Sequence, residues 1–195
     1  MNRHPARLLP LMFASVILLG SALLSLPWAT QTGASPDLMT AVFTATSAAA
    51  VTGLIMVDTA TYWSPFGQGV ILVLIQIGGF GIMAGATLLG LLIRRNLRLG
   101  RRLLVQAETR GVELSDVRRV LVTLAIVTLV TELVLTAVLA HRLHTVHGHS
   151  WSQALWHGLF HAVFAFNNAG FSTFSDNLAG FALDPLVLLP ICLAV

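Results

Sequence analysis

Ser47-Ala48-Ala49-Ala50-Val51-Thr52-Gly53-Leu54 lies between two long apolar runs, Leu8–Leu26 and Phe66–Ile93. The stretch is too short, and too polar at its end, to cross a bilayer. A second version follows at His161-Ala162-Val163-Phe164-Ala165-Phe166-Asn167-Asn168-Ala169-Gly170-Phe171. Each reads as a short helical run that stops at a small or polar tripeptide ending in glycine. Irregular backbone at membrane depth survives only where it is buried in protein or lines a water-filled cavity. Carbonyls bared at such a point can replace an ion's water shell. The pair therefore predicts two pore loops of a cation-conducting membrane protein.

The composition agrees. Hydrophobic residues make up 56% of the chain and charged residues 10%, against about 25% charged in a soluble domain. All eleven basic residues are arginine, and eight of them fall between Arg94 and Arg119, beside apolar runs. That clustering follows the positive-inside rule and argues against nucleic acid as the reason for the net charge of +3. One cysteine, Cys192, excludes an intrachain disulfide. Arg3 and Arg7 before Leu8–Leu26 resemble the start of a signal peptide, but the run is longer than an h-region of roughly 7–15 residues. It is read as a retained span with its start in the cytoplasm.

Helix signals then order the chain. The first span stops at Pro27. Ser35-Pro36-Asp37 offers a cap, a first-turn proline and a first-turn acid for a short helix from Pro36 to about Ala49. An extended return segment, Ile55 to Trp63, leads to Ser64-Pro65, where the same start signal recurs. The next span reaches Ile93, about 40 Å at 1.5 Å per residue. It carries Gln76-Ile77-Gly78-Gly79-Phe80-Gly81-Ile82-Met83-Ala84-Gly85, in which Gly81 and Gly85 form a close-packing spacing. Residues 96–115 are an arginine-rich cytoplasmic connector, read as a topology and lipid anchor or a docking surface for a cytosolic subunit. A third span runs from about Asp116 to Ala140 and contains Glu132. An acid within a span normally faces the protein interior with a partner. Ser150 and Gln153 form a capping box opening a second short helix, Trp151 to about Phe166. Asp184-Pro185 restarts a span that the sequence follows only to Val195.

The fold class predicted is an all-α integral membrane protein of repeated units: membrane helix, pore helix, filter loop, membrane helix. Residues 1–95 form the first unit and 116–195 a second, incomplete at its last helix, in parallel orientation. His141, His144, His147 and His149 are loosely spaced with no interleaved carboxylate, and read as a solvated outer loop rather than a metal site. His157 and His161 share a helix face without the glutamate of a zinc-protease helix, and read as hydrogen-bonding anchors. Asp58 and Asp176 follow the two loops, with capping, solvation or attraction of cations as their roles. Paired catalytic carboxylates and a nucleophile–base arrangement are lacking in the sequence, so an enzyme is not expected. Filter carbonyls are assigned to Ala50, Val51, Thr52 and Gly53, and to Asn167, Asn168, Ala169 and Gly170. Glycine at Gly53 and Gly170 supplies the φ values that other residues avoid.

At Thr46–Leu54, Gln76–Gly81 and Phe160–Phe171 the chain resembles the Trk/Ktr/HKT potassium-transport family, most nearly its bacterial TrkH/KtrB-type membrane subunits. The resemblance covers nearly the whole chain. It implies K+ as the transported ion, with Na+ as a second candidate, and four membrane–pore–membrane units around one pore in the plasma (inner) membrane. It implies a homodimer and a cytosolic nucleotide-binding regulatory subunit. It also implies that glycine at each filter goes with potassium preference, whereas serine at the first goes with sodium permeation in some plant members. One full unit and most of a second are present here. The expectation is a fragment of a longer polypeptide, ahead of an assembly of several copies. The competing function is a nonconducting membrane scaffold or assembly subunit.

Overall fold

The computed structural model describes residues 8–101 and 114–195. Among these residues seven α-helices follow one another: α1 (Leu8–Leu24), α2 (Leu38–Ala49), α3 (Thr59–Tyr62), α4 (Pro65–Arg101), α5 (Leu114–Thr145), α6 (Trp151–Asn167) and α7 (Pro185–Ala194). The described residues form no strand; a single antiparallel bridge joins Thr30 to Trp63. Among the described residues two helices contain stretches long and apolar enough to cross a membrane, Pro65–Thr87 and Arg118–Thr145, with mean hydropathies of 2.0 and 2.3. On α5, Val122, Ile126, Val130, Leu133 and Val134 are each about half exposed or more. A water-soluble surface rarely carries so continuous an apolar face; hydrocarbon suits it.

Helix starts follow local chemistry. Asp37 caps α2, its carboxylate accepting from the Met39 amide at 3.1 Å. The start predicted at Ser35-Pro36 therefore moves two residues on, because the aspartate reaches the open amide. The Ser64 hydroxyl accepts from the Gly67 amide at 3.2 Å, the Ser150–Gln153 capping box closes, and Asp184 caps α7. The return segment expected to be extended folds instead into α3, because Asp58 accepts from the Ala60 amide and the Thr61 hydroxyl. α1 ends at Leu24, before Pro27. α4 runs beyond Ile93 to Arg101, so the connector drawn at 96–115 begins inside α4 and ends inside α5; residues 102–113 between them lie outside the described residues.

Packing forms two three-helix groups. α2 lies against α1 and α4, and α6 against α5 and α7; α4 also meets α6 and joins the groups. Between membrane helices, close packing rather than water exclusion supplies the attraction. Every buried residue of α2 is accordingly alanine, serine or threonine, from Thr40 to Ala49. α6 approaches α5 at Gly158, where an added Cβ would lie 3.0 Å from the Thr136 carbonyl oxygen and the Ala140 nitrogen. In α4 the closest approaches fall at Gly78 and Gly79 rather than at Gly81, whose added Cβ would make an ordinary 3.4 Å contact with the Phe13 ring.

One loop histidine, His147, acquires a carboxylate from far along the chain. Asp184 sits 2.9 Å from both Arg142 Nε and His147 Nε2. Hydrogen bonds from Arg142 and then His147 draw its pKa down to about 2 from an ordinary 3.8, with burial opposing. Its folded-state value is depressed, so the stabilisation is complete above about pH 4 and is lost as pH falls through about 2. We expect the Asp184→Ala variant to unfold at lower temperature than the parent at pH 6. The gap should narrow between pH 4 and pH 2, as read by thermal unfolding in detergent across that range.

Candidate functional site

α2 and α6 end in the same way. At the first, the Val51 amide donates to the Ala48 carbonyl at 3.2 Å and the Thr52 amide to the Ser47 carbonyl at 3.0 Å. At the second, the Asn168 amide donates to Ala165 at 3.0 Å and the Ala169 amide to Phe164 at 2.8 Å. Both are Schellman closures, which require a left-handed residue just past the helix. Val51 (φ 57°) and Asn168 (φ 55°) occupy that place, and Gly53 (φ 70°) and Gly170 (φ 71°) are left-handed again two residues later. Asparagine tolerates the conformation. A β-branched valine does so at a cost of roughly 1–2 kcal/mol, which points toward a functional constraint on the loop.

The two loops meet. A Cβ added to Gly53 would lie 2.6 Å from the Ala169 carbonyl oxygen and 3.0 Å from the Gly170 Cα; one added to Gly170 would lie 3.2 Å from the Gly53 Cα. Among the described residues no backbone amide donates to the carbonyls of Val51, Thr52, Gly53, Asn168, Ala169 or Gly170. In an extended strand successive carbonyls face opposite sides. Left-handed residues at alternate positions reverse that alternation, so neighbouring carbonyls can share a side.

Each loop is tied to its own helix and to α4. Thr52 Oγ1 lies 3.0 Å from Ser47 Oγ. Past Gly170, Thr173 Oγ1 lies 2.7 Å from His157 Nδ1 and Ser172 Oγ 3.2 Å from His161 Nε2. Both histidines thus face the chain leaving the second loop. The first of the adjacent glycines in α4, Gly78, abuts the Ala49 carbonyl at the end of α2; the second, Gly79, abuts the Asn167 side chain at the end of α6. Neither contact leaves room for a Cβ. Beside Gly170 lies a cavity of about 170 Å³ lined by Ile55, Val57, Asp58, Ser172 and Ser175 among others. The Ser175 hydroxyl, followed by the Thr61 hydroxyl and the Ala60 amide, holds the Asp58 carboxyl below the usual range against partial burial. Asp176 accepts from the Gly180 amide at 2.8 Å, a turn-stabilising role.

Of the eight residues assigned to filters, Ala50 is the residue capping α2 and Asn167 the last residue of α6. Val51–Gly53 and Asn168–Gly170 form the paired loops. The Asn167 side chain points away from them, into a buried polar group with Gln76 of α4 and Glu132 of α5. Glu132 is thus inward-facing and partnered, as an acid within a span should be. Its partners lie 56 and 35 residues away, and no local spacing announces them.

A family model described as "TrkH: Cation transport protein" matches residues 12–195. The chain belongs to the TrkH cation transport family. Among similar proteins, the Ktr system potassium uptake protein B of Bacillus subtilis is 41% identical over 96% of this chain and 41% of its own length. The protein of the same description from Vibrio alginolyticus is 35% identical over 93% of this chain and 39% of its own. The potassium/sodium uptake protein NtpJ of Enterococcus hirae is 32% identical over 89% and 38%. The chain thus spans about two fifths of the length of the relatives it matches. All three TrkH-family relatives are described as uptake proteins, and none of those names denotes an enzyme.

Proposed function

We propose that this chain supplies two of the carbonyl-lined strands through which a TrkH-family protein takes up potassium across the plasma membrane. Ala50–Gly53 and Asn167–Gly170 hold the dehydrated ion. The two units are parallel membrane–pore–membrane repeats, with the N-terminus in the cytoplasm. The observation that carries this reading is the matched pair of left-handed loops meeting at Gly53 and Gly170. Both loops sit at helix C-termini, whose partial negative charge favours a cation. Naming of two relatives for potassium and one for potassium and sodium makes sodium the competing ion. A homodimer, contact with anionic lipid at the arginine-rich connector and a cytosolic nucleotide-binding regulator complete the proposal.

The test is rubidium uptake in potassium-transport-deficient cells expressing the complete gene product that carries these residues. Uptake should be restored and should favour potassium over sodium. Normal accumulation in the membrane without uptake would overturn the reading and leave a nonconducting scaffold in its place.

A further inference from the structure

Asn167 closes α6 immediately before the left-handed Asn168. Its Nδ2 lies 2.9 Å from the Val163 carbonyl, 3.2 Å from Gln76 Oε1 and 3.2 Å from Glu132 Oε1; Gln76 Nε2 lies 3.2 Å from Glu132 Oε2. The orientation of every group in this ring follows from one fact. A backbone carbonyl can only accept, so the Asn167 atom facing Val163 is the nitrogen. That nitrogen shares its two N–H groups among the Val163, Gln76 and Glu132 oxygens and would clash with a second amide donor, so Gln76 turns its oxygen to Asn167 and its nitrogen to Glu132. Both Glu132 oxygens are then acceptors, as an ionised carboxylate provides and an amide does not. Asn167 and Glu132 are buried, at 7% and 5% exposure. Gly79 leaves the space that the Asn167 side chain fills.

We propose that Glu132 is a positioning residue for ion discrimination: through Gln76 and Asn167 it fixes the end of α6, and with it the Asn168–Gly170 loop against Gly53. This rests on the transport reading above. Glu132 touches no filter carbonyl; it acts by holding three helices, α4, α5 and α6, in one register at the base of the loop. Asn167 Oδ1 is already buried without a partner, and breaking the bonds of Asn167 Nδ2 would leave further buried polar groups unpaired, so the ring resists small rotations of α6 that would swing the Asn168 and Ala169 carbonyls.

The ring makes an unusual test possible. In the Glu132→Gln variant, one amide nitrogen must face another, and one bond is lost. In Gln76→Glu, two carboxylates confront each other. Exchanging both, Q76E/E132Q, rebuilds the same three bonds: Asn167 donates to both neighbours, and the amide at 132 donates to the carboxylate at 76. The readout is the ratio of rubidium to sodium uptake by the complete gene product in transport-deficient cells, with membrane accumulation measured in parallel. Each single variant should lose about tenfold in that ratio, as expected when a hydrogen bond to a charged group is lost. The exchanged pair should recover to within about threefold, since the number of such bonds is restored.

A parent-like ratio in Glu132→Gln overturns the proposal, as does an exchanged pair no better than the singles. If neither Glu132→Gln nor the exchanged pair accumulates, the location of the charge matters and the ring does not, which also overturns it. If Glu132→Gln alone fails to accumulate and the exchanged pair accumulates with parent-like discrimination, the proposal stands. Absence of uptake by the parent removes the transport reading itself. A working parent with an unchanged Glu132→Gln ratio removes only the role of Glu132.

Discussion

Gly53→Ser is expected to lower the preference for potassium over sodium by about tenfold or more, the effect of roughly 1.4 kcal/mol of lost discrimination. Two costs act together. At φ 70° any side chain carries about 1–2 kcal/mol of left-handed strain. The new Cβ would also sit 2.6 Å from the Ala169 carbonyl oxygen, a backbone atom of the opposite loop. Such an atom cannot swing aside as a side-chain tip can. The loops must separate or the Ala169 carbonyl must rotate, and either change alters the oxygen spacing offered to the ion. Gly170→Ser carries the same strain but meets its nearest atom at 3.2 Å, so it should be the milder of the two. Rubidium and sodium uptake measured side by side checks both. An unchanged ratio in Gly53→Ser would remove the filter assignment.

Gly78→Val is expected to destabilise the protein by about 3 kcal/mol or more, near the upper end for forced overpacking. A Cβ there enters the Ala49 carbonyl, and α4 must then move off the end of α2. Gly79→Val pushes on Asn167 instead and should damage the second loop. Gly81→Ala is the control: its methyl meets only the Phe13 ring at 3.4 Å, and the change should be nearly neutral or stabilising. Thermal unfolding in detergent ranks the three. Gly78→Val with parent-like stability would show that α4 does not buttress the first loop as the packing requires.

Much of the architecture was legible because its signals are local. Serine or aspartate before proline, or a Ser-x-x-Gln capping box, marks a helix start within a single turn, and the signals at Ser64, Ser150 and Asp184 correspond to caps in the structure. The start of α2 lies two residues beyond Pro36 because Ser35 and Asp37 are both competent caps, and only geometry selects between them. α3 departs from the expected extended segment for a related reason: the Asp58 cap makes one turn of helix from a stretch with no apolar period of its own. The left-handed Val51 had no signal at all, since valine is among the residues least expected there.

The side-chain partnerships were not legible. Asp184 reaches Arg142 across 42 residues and His147 across 37, so the histidine loop looked free of carboxylates. Gln76, Glu132 and Asn167 come from three helices. Linear order carries the covalent and one-turn information: which runs are apolar, where helices begin and break, and where glycine permits a left-handed turn. Contacts between helices depend on the rotation and depth of each one, to within a fraction of a turn. Those are set by packing at Gly78, Gly79 and Gly158, so the meeting of the two loops and the ring beneath the second emerge only when the helices are assembled.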